Sequence, residues 1–454
     1  MVDLILVRSR NNPNPGVKKN SDSGSYSGRR MPPYGIMYIS SFVRQSGYTV
    51  KLFDLFKKNY AHLSIDDIAD QILTHDPGIV GISSMTSQSL DAMALGDALM
   101  RKSNVSVVHG GVHPTSLPEE TLKHGHVVVQ GEGEHCMRQI TSSKPICSQR
   151  KIFQGKPLTE EEMDSIPFPK KEDLDETAFD PSLDPKFPII TARGCPYKCV
   201  FCKDGFRSSN KRFHSVDYIV EFLGYISQTL GFRKIIVLDD IFIYSEQRME
   251  EMIIKLEKRN LKFKFQCQVH ANVITPRVLR LMKRLGIQWI YIGIESGNQQ
   301  ILKNIKKGIT IEKASNAVHL LKKNGFYVAG MYMIGNIGET SKTVNDTIRF
   351  AFTLPTDRAW FSFAAPYPGT QFYDMADKYG KIIEPDFCKW NQATLVYLPK
   401  DIKKDEMYQL MRRAQIVRII KKIRFSFFGC WITPIKELYY RYKRRVLKQH
   451  AFND

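Results

Sequence analysis

The chain has 454 residues, 43% hydrophobic and 25% charged, enough for two or three domains with sizeable cores and far from the make-up of a disordered polymer. Its eight cysteines are too few and too scattered for a disulfide scaffold, so they read as thiols of a reducing compartment. The net charge of +20 is uneven: residues 403–448 hold fourteen Lys or Arg against three acids, a run suited to nucleic acid, an anionic membrane or a solvated helix face.

Met1-Val-Asp-Leu-Ile-Leu-Val7 carries an acid and no basic n-region, so it reads as a first strand at Leu4–Val7 and not as a signal peptide. No apolar run approaches the ~18–20 residues of a membrane span. The expected location is cytoplasmic, with peripheral contact at the inner face of the membrane through residues 403–448 as a further reading. Residues 8–31 are rich in Asn, Pro, Gly and Ser and form a long loop. Strand and helix signals then alternate: helix Gly35–Ser46, strand Thr49–Phe53, helix Ile65–Leu73, strand Ile79–Ser83, helix Leu90–Met100, and strands Val105–His109 and Val127–Gln130. That alternation predicts a parallel, doubly wound sheet over residues 1–140, whose ligands sit at the carboxyl ends of the strands. The glycine-bearing turns Gly110-Gly-Val-His-Pro-Thr115 and Gly131-Glu-Gly-Glu134 follow strands, where a backbone can approach a ligand closely. No G-x-G-x-x-G follows Leu4–Val7, which argues against a nicotinamide domain.

Residues 141–185 are rich in Pro and charge without periodicity and read as a linker. From Phe187 the alternation resumes. Strands are expected at Phe187–Thr191, Ile235–Leu238, Phe263–Gln268, Trp289–Ile294, Tyr327–Ile334 and Trp360–Ala364. Helices are expected at Val216–Thr229, Ser245–Arg259, Pro276–Leu285, Gln299–Ile305, Ile311–Asn324 and Ser341–Leu354. About six β/α units suit an open barrel over residues 186–380, followed by a basic, mostly helical region over 381–454. Within that region Met407, Leu410, Met411, Ala414, Val417 and Ile420 recur at helical spacing, ahead of the aromatic stretch Phe425–Ile432 and the basic stretch Arg441–Lys448. This pattern fits either an amphipathic helix on an anionic membrane or a helix packed on the barrel flank.

Directly after the strand Phe187–Thr191 come Cys195, Cys199 and Cys202, spaced C-x₃-C-x₂-C. Three thiolates are one fewer than a closed zinc site or an ordinary iron–sulfur cluster takes, which leaves one metal position open. The alternative is half of a zinc site completed by a distant Cys or His. Acidic and glycine-bearing segments end the later strands: Asp239 and Asp240, Glu295 and Ser296, and Gly335 to Glu339. They would line a barrel mouth with oxygen acceptors; Glu339, just before Ser341–Leu354, reads as a helix cap.

The cysteine spacing, with Phe201 before the last cysteine, resembles the radical S-adenosylmethionine (SAM) enzymes. The first half resembles the cobalamin-binding domain that precedes one large class of them, through Pro32–Gly47, Gly81–Thr86, Gly110–Thr115 and Gly131–Glu134. The resemblance implies that Cys195, Cys199 and Cys202 hold a [4Fe-4S] cluster whose open iron chelates SAM. It implies SAM contacts from Asp239, Asp240, Glu295, Ser296, Gly335 and Gly338, and cobalamin contacts from Ser83, Ser84, Thr86, Gly110, Gly111, His113, Gly131, Glu132 and Gly133. The D-x-H-x-x-G motif that gives cobalt a histidine is absent, and His113, next to Pro114 in a turn, reads as shaping its loop. Relatives commonly carry Leu-Pro where this chain has Asn336-Ile337, and an Arg near His270.

The implied activity is methylation of an unactivated carbon in a small-molecule, lipid or tetrapyrrole-like substrate, by way of a 5′-deoxyadenosyl radical and methylcobalamin. An external electron donor of the flavodoxin or ferredoxin type is implied too. The alternatives are a non-methylating ring closure, rearrangement or oxidation, an RNA-modifying enzyme, or a cobalamin domain that has lost its cofactor. RNA-modifying relatives usually carry three further N-terminal cysteines; only Cys136 and Cys147 stand there, which argues against nucleic acid. A zinc-stabilised module without catalysis is the remaining reading.

Overall fold

A computed structural model describes residues 2–11, 31–143, 150–179, 186–203 and 211–427. In the first half, β1 (Val2–Arg8), α1 (Tyr34–Arg44), β2 (Val50–Asp54), α2 (Ile65–Leu73), β3 (Pro77–Ser83) and α3 (Ser89–Lys102) lead to β4 (Ser106–Gly110), α4 (Val112–Ser116) and α5 (Pro118–Leu122). β5 (Val127–Gly131), α6 (Glu134–Ser142), β6 (Lys151–Gly155), α7 (Glu160–Ser165) and α8 (Lys171–Asp175) complete it. All six strands are parallel in the order β2-β1-β3-β4-β5-β6. The order reverses between β1 and β3, the switch point beside which such sheets hold ligands.

Side chains of β1 alternate between faces, as the strand period requires. Ile5 and Val7 join Ile68, Ile72, Leu95 and Leu99 beneath α2 and α3. Leu4 and Leu6 join Met37, Phe42, Met137 and Ile140 beneath α1 and α6. This second layer does not stop at the sheet. It runs on through Leu158, Met163 and Ile166 to Phe187, Ile189 and Val200, so the two halves share one core. The Tyr34 hydroxyl ties α1 to the Pro188 carbonyl across that seam.

Residues 141–185 are therefore more than a linker. β6 pairs with β5 from Val127–Lys151 to Gly131–Gly155 and makes the sheet's edge. Its polar sequence, Lys-Ile-Phe-Gln-Gly, is that of a half-exposed edge strand, and so hid the period-2 pattern.

The second half opens with β7 (Lys186–Ile189) and the two-residue strands β8 (Ala192–Arg193) and β9 (Arg212–Phe213). Then come α9 (Val216–Gln228), β10 (Lys234–Val237), α10 (Glu246–Lys258), β11 (Lys264–Val269), α11 (Pro276–Leu285), β12 (Ile287–Glu295) and α12 (Gln299–Asn304). α13 (Ile311–Lys323), β13 (Tyr327–Ile334), α14 (Ser341–Thr353), β14 (Arg358–Phe363) and α15 (Gln371–Tyr379) follow, with β15 (Gly380–Ile382), β16 (Tyr397–Pro399) and α16 (Lys404–Phe427) last. β7, β10, β11, β12, β13 and β14 form a parallel six-stranded sheet in that order, with β7 and β14 at its edges, the open (β/α)₆ arrangement expected.

α16 packs on β14 and α14. Met407, Leu410, Ala414 and Val417 are buried there, and the buried Lys421 ammonium donates to the carbonyls of Leu354 and Thr356. Up to Lys421 this is the barrel-flank helix and not a free amphipathic face. The stretches Phe428–Ile432 and Arg441–Lys448, like residues 12–30 of the first loop, lie outside the described residues. No described helix is long and apolar enough to cross a membrane.

α11 shows how local signals set an element. Thr275 caps it, Pro276 opens it, and Gly286 ends it at φ 91°. A Cβ on Gly286 would lie 2.3 Å from the Phe263 carbonyl oxygen. Gly286→Ala is expected to destabilise the chain by more than about 1 kcal/mol, read as a lowered Tm; an unchanged Tm would refute the assignment.

Candidate active site

The cysteine loop leaves the carboxyl end of β7 and is bracketed by β8 and β9, which pair Ala192 with Phe213 and Arg193 with Arg212. Gly194 turns it at φ 92°. Within it the Cys202 N–H donates to the Cys199 carbonyl at 3.0 Å, Val200 donates to Ile305, and Phe372 donates to Val200. Cys199 is buried, and Cys195 and Cys202 are half-buried. Among the described residues no three His, Cys, Asp or Glu side chains converge closely enough to hold a single ion. A cluster that takes one cysteine per iron needs no such convergence.

Asp239, expected to meet a ligand, holds the backbone of the cysteine loop and also borders the cavity described below. It is buried, and its carboxylate accepts from the backbone N–H groups of Thr191 and Ala192 and from the Thr191 hydroxyl. Burial pushes its pKa up to about 6 despite these donors. Its work is to fix the strand-to-loop exit. Asp240 borders the cavity described below.

Glu295 closes β12 where the pairing with β13 shifts register, at φ 68°, a conformation that side chains other than glycine adopt only under strain. Its carboxylate meets the Lys307 ammonium at 2.8 Å, and both residues are only 8% exposed. Ser296 is fully buried with its hydroxyl on Thr347 and on the Asn298 N–H, so it holds the turn. Gly335 and Gly338 have φ of 94° and 74°. Glu339 is not the cap of α14, a role that Thr340 fills. It is buried and accepts from the N–H groups of Gly335 and Asn336, while burial raises its pKa to about 7. His270 stacks on Tyr197 of the cysteine loop with ring centres 3.7 Å apart. Burial lowers its pKa to about 4, so the stack is neutral.

A cavity of about 430 Å³ opens between the two halves. Ser83, Ser84, Gly110, Gly111, Gly131, Glu132 and Gly133 line one side, and Ala192, Arg193, Gly194, Asp239 and Asp240 the other. Leu6, Ile36, Ile39, Ile82, Val108, Val129 and Met137 form an apolar floor. Gly111 stands at φ 101°, and a Cβ there would come 2.8 Å from the Ser84 carbonyl oxygen. Thr86 and His113 do not reach the cavity. Thr86 is buried at the start of a short turn, and the His113 ring is turned inward, edge-on to Phe387 at 5.2 Å.

Of the charged groups that join the halves, the sequence singles out Glu132 but not its partners. Arg193 donates to Glu132 at 3.0 Å and to Glu134 at 2.8 Å, and Arg212 also pairs with Glu132. Lys203 reaches Ser116 of α4, and burial lowers its pKa to about 8. Lys211 donates to the Ile241 carbonyl and lies near Asp239, Cys195 and Asp240.

Residues 189–351 match the radical SAM superfamily and residues 24–141 the B12 binding domain. Over 403 residues the chain is 31% identical to an uncharacterized methyltransferase of Pyrococcus horikoshii, a match covering 85% of this chain and 87% of that one. The chain belongs to the cobalamin-dependent radical SAM methyltransferase family. Its cofactors are a [4Fe-4S] cluster, SAM and cobalamin, and such an enzyme needs a reductant and a small-molecule substrate. It is also 25% identical over 401 residues to the anaerobic magnesium-protoporphyrin IX monomethyl ester cyclase of Rubrivivax gelatinosus, covering 83% of this chain and 71% of that one. The fold is shared with the radical SAM methyltransferase TsrM of Kitasatospora setae, at a TM-score of 0.67 and 12% identity over 91% of this chain and 89% of that one.

The residues present fit these groups. Three thiols stand on one loop, and the cavity's glycine-lined rim and apolar floor suit a large flat ligand with no histidine reaching it.

Burial alone would raise the Glu132 pKa, but Arg212, Arg193 and the Leu158 N–H together hold it below the ordinary carboxylate range. Its stabilising effect is therefore complete above the unfolded value of ~4.3 and is lost as pH falls through the lower folded value. Glu132→Gln is expected to lower Tm at neutral pH, with the gap to wild type narrowing below about pH 4.3. A gap that stays constant down to about pH 3 would contradict this.

Proposed function

We propose that this enzyme methylates an unactivated carbon of an apolar, tetrapyrrole-like small molecule admitted between its two halves. The observation that carries the reading is the single cavity bordered both by the strand ends of the B12 domain and by the start of the cysteine loop. The substrate class follows the cyclase relative, named for a protoporphyrin ester.

When bound, the cluster and SAM supply a carbon radical, and the corrinoid supplies a methyl group; such chemistry belongs to the cofactors. The chain's own part is to bind, orient and exclude. Cys195, Cys199 and Cys202 are the proposed cluster ligands, with Asp239 holding their loop in place. Asp240, Glu295 and the Gly335–Gly338 turn are the proposed SAM contacts; Ser296, bonded to Thr347 and Asn298, supports the turn that follows Glu295. Ser83, Ser84, Gly110, Gly111, Gly131 and Gly133 are the proposed cobalamin contacts, close because the glycines leave room. Glu132 acts there by anchoring Arg193 and Arg212. The electron donor is proposed to be of the flavodoxin or ferredoxin type. Peripheral contact with an anionic membrane, read from residues 403–448, is assigned to the basic residues beyond Lys421.

The test is anaerobic reconstitution with iron, sulfide and cobalamin, followed by an assay of SAM cleavage with methyl-labelled SAM and porphyrin-type substrates. Wild type is expected to release 5′-deoxyadenosine and label the product, while Cys199→Ala falls to background. Equal cleavage by both would sink the proposal. Cleavage without label in the product would favour the ring-forming chemistry of the cyclase relative.

A further inference from the structure

Lys307 is a buried cation that neither the cysteine motif nor the cavity accounts for. It follows α12 in the stretch Ile305-Lys-Lys-Gly-Ile309, of which Lys306 is exposed and Lys307 is not. The segment is locked from several sides. Val200 of the cysteine loop donates to the Ile305 carbonyl at 3.1 Å, and the Lys307 N–H donates to Leu302. The Asn272 amide donates to the Gly308 carbonyl at 3.0 Å, and His270, stacked on Tyr197, faces the Lys307 carbonyl at 3.3 Å. The side chain therefore has a fixed starting point against the cysteine loop.

Its ammonium donates to the Glu295 carboxylate at 2.8 Å. The pair rests on Gly293, where a Cβ would lie 2.4 Å from the carboxylate oxygen and 2.8 Å from the ammonium nitrogen. The groups that act most strongly on the ammonium, burial aside, are Glu295, Cys199 and Cys202. So a fixed positive charge sits on the segment that is bonded to Val200, between Cys199 and Cys202, and a strained glutamate backbone holds it there.

We propose that Lys307 is a positioning residue that sets the electron affinity of the cluster, its charge held beside the cysteine loop by Glu295. This rests on the cysteines binding the cluster, as proposed above. Reduction adds one electron, taken from an external carrier, to a site already negative from its thiolates; no bond forms or breaks. A fixed cation in a low-dielectric site favours the reduced form, and charge near a cluster is one of the protein's levers on its potential. Glu295 opposes that effect in part, so the two residues should act with opposite sign.

The experiment is a potentiometric titration of the reconstituted full-length enzyme without SAM, followed by electron paramagnetic resonance, with iron and sulfide content measured for each variant. Lys307→Met is expected to move the midpoint to more negative potential, Glu295→Gln to more positive potential, and Lys307→Arg to leave it near wild type. Midpoints of fully loaded Lys307→Met and Glu295→Gln that stay at the wild-type value, or that move the same way, would overturn the proposal. Should Lys307→Met fail to load, a positive shift in Glu295→Gln with a wild-type midpoint in Lys307→Arg sustains it, and an unmoved Glu295→Gln overturns it. A wild-type chain that takes up no cluster would overturn the ligand assignment itself, a result distinguishable from loaded variants whose midpoints do not move.

Discussion

The guanidinium of Arg193 stands between two carboxylates of the N-terminal half, Glu132 and Glu134, one residue before the glycine that turns the cysteine loop. Both ends of this contact are largely shielded from water, so removing one partner would strand a charge, a loss of about 3–5 kcal/mol in comparable buried pairs. Arg212, which pairs with Arg193 across the short β8–β9 ribbon, grips Glu132 as well. The two halves of the active site are thus registered to each other at the loop that carries the cysteines. The shared cavity exists because that register holds.

Behind the register stands a division of labour among carboxylates that look alike in the sequence. Asp239 is closed off by three donors from Thr191 and Ala192 and serves the backbone. Glu339 is closed off by Gly335 and Asn336 and serves its turn. Asp240 borders open space, and Glu295 is turned by a bulge toward a lysine. Burial and donors, not residue type, set what each of these acids holds.

Most of the architecture was legible because the strands are short apolar runs and the helices carry clear caps. Tyr327–Ile334 and Pro276–Leu285 fall where the pattern sets them. The cysteine spacing was legible because metal chemistry depends on spacing along the chain. Orientation was not. His113 and Thr86 sit in the expected segments yet turn away from the cavity, since packing against Phe387 and a tight turn decide their directions. β6 escaped notice because an edge strand needs little hydrophobic patterning. Lys307 was hidden in a run of basic residues that reads as surface; only the fold shows that one of its two lysines points inward.

The core that runs from Met137 through Leu158 to Phe187 has a consequence for how the chain is made. The sheet formed by the first half emerges from the ribosome with the faces of α1 and α6 still waiting for partners supplied by the connector and β7. Until those residues follow, that surface is apolar and open to wrong associations. The N-terminal domain is thus complete in topology before it is complete in packing. A chain cut just after β6, near residue 156, would keep its six strands but lose the layer that covers them, so the two domains should be inherited, expressed and folded as one piece.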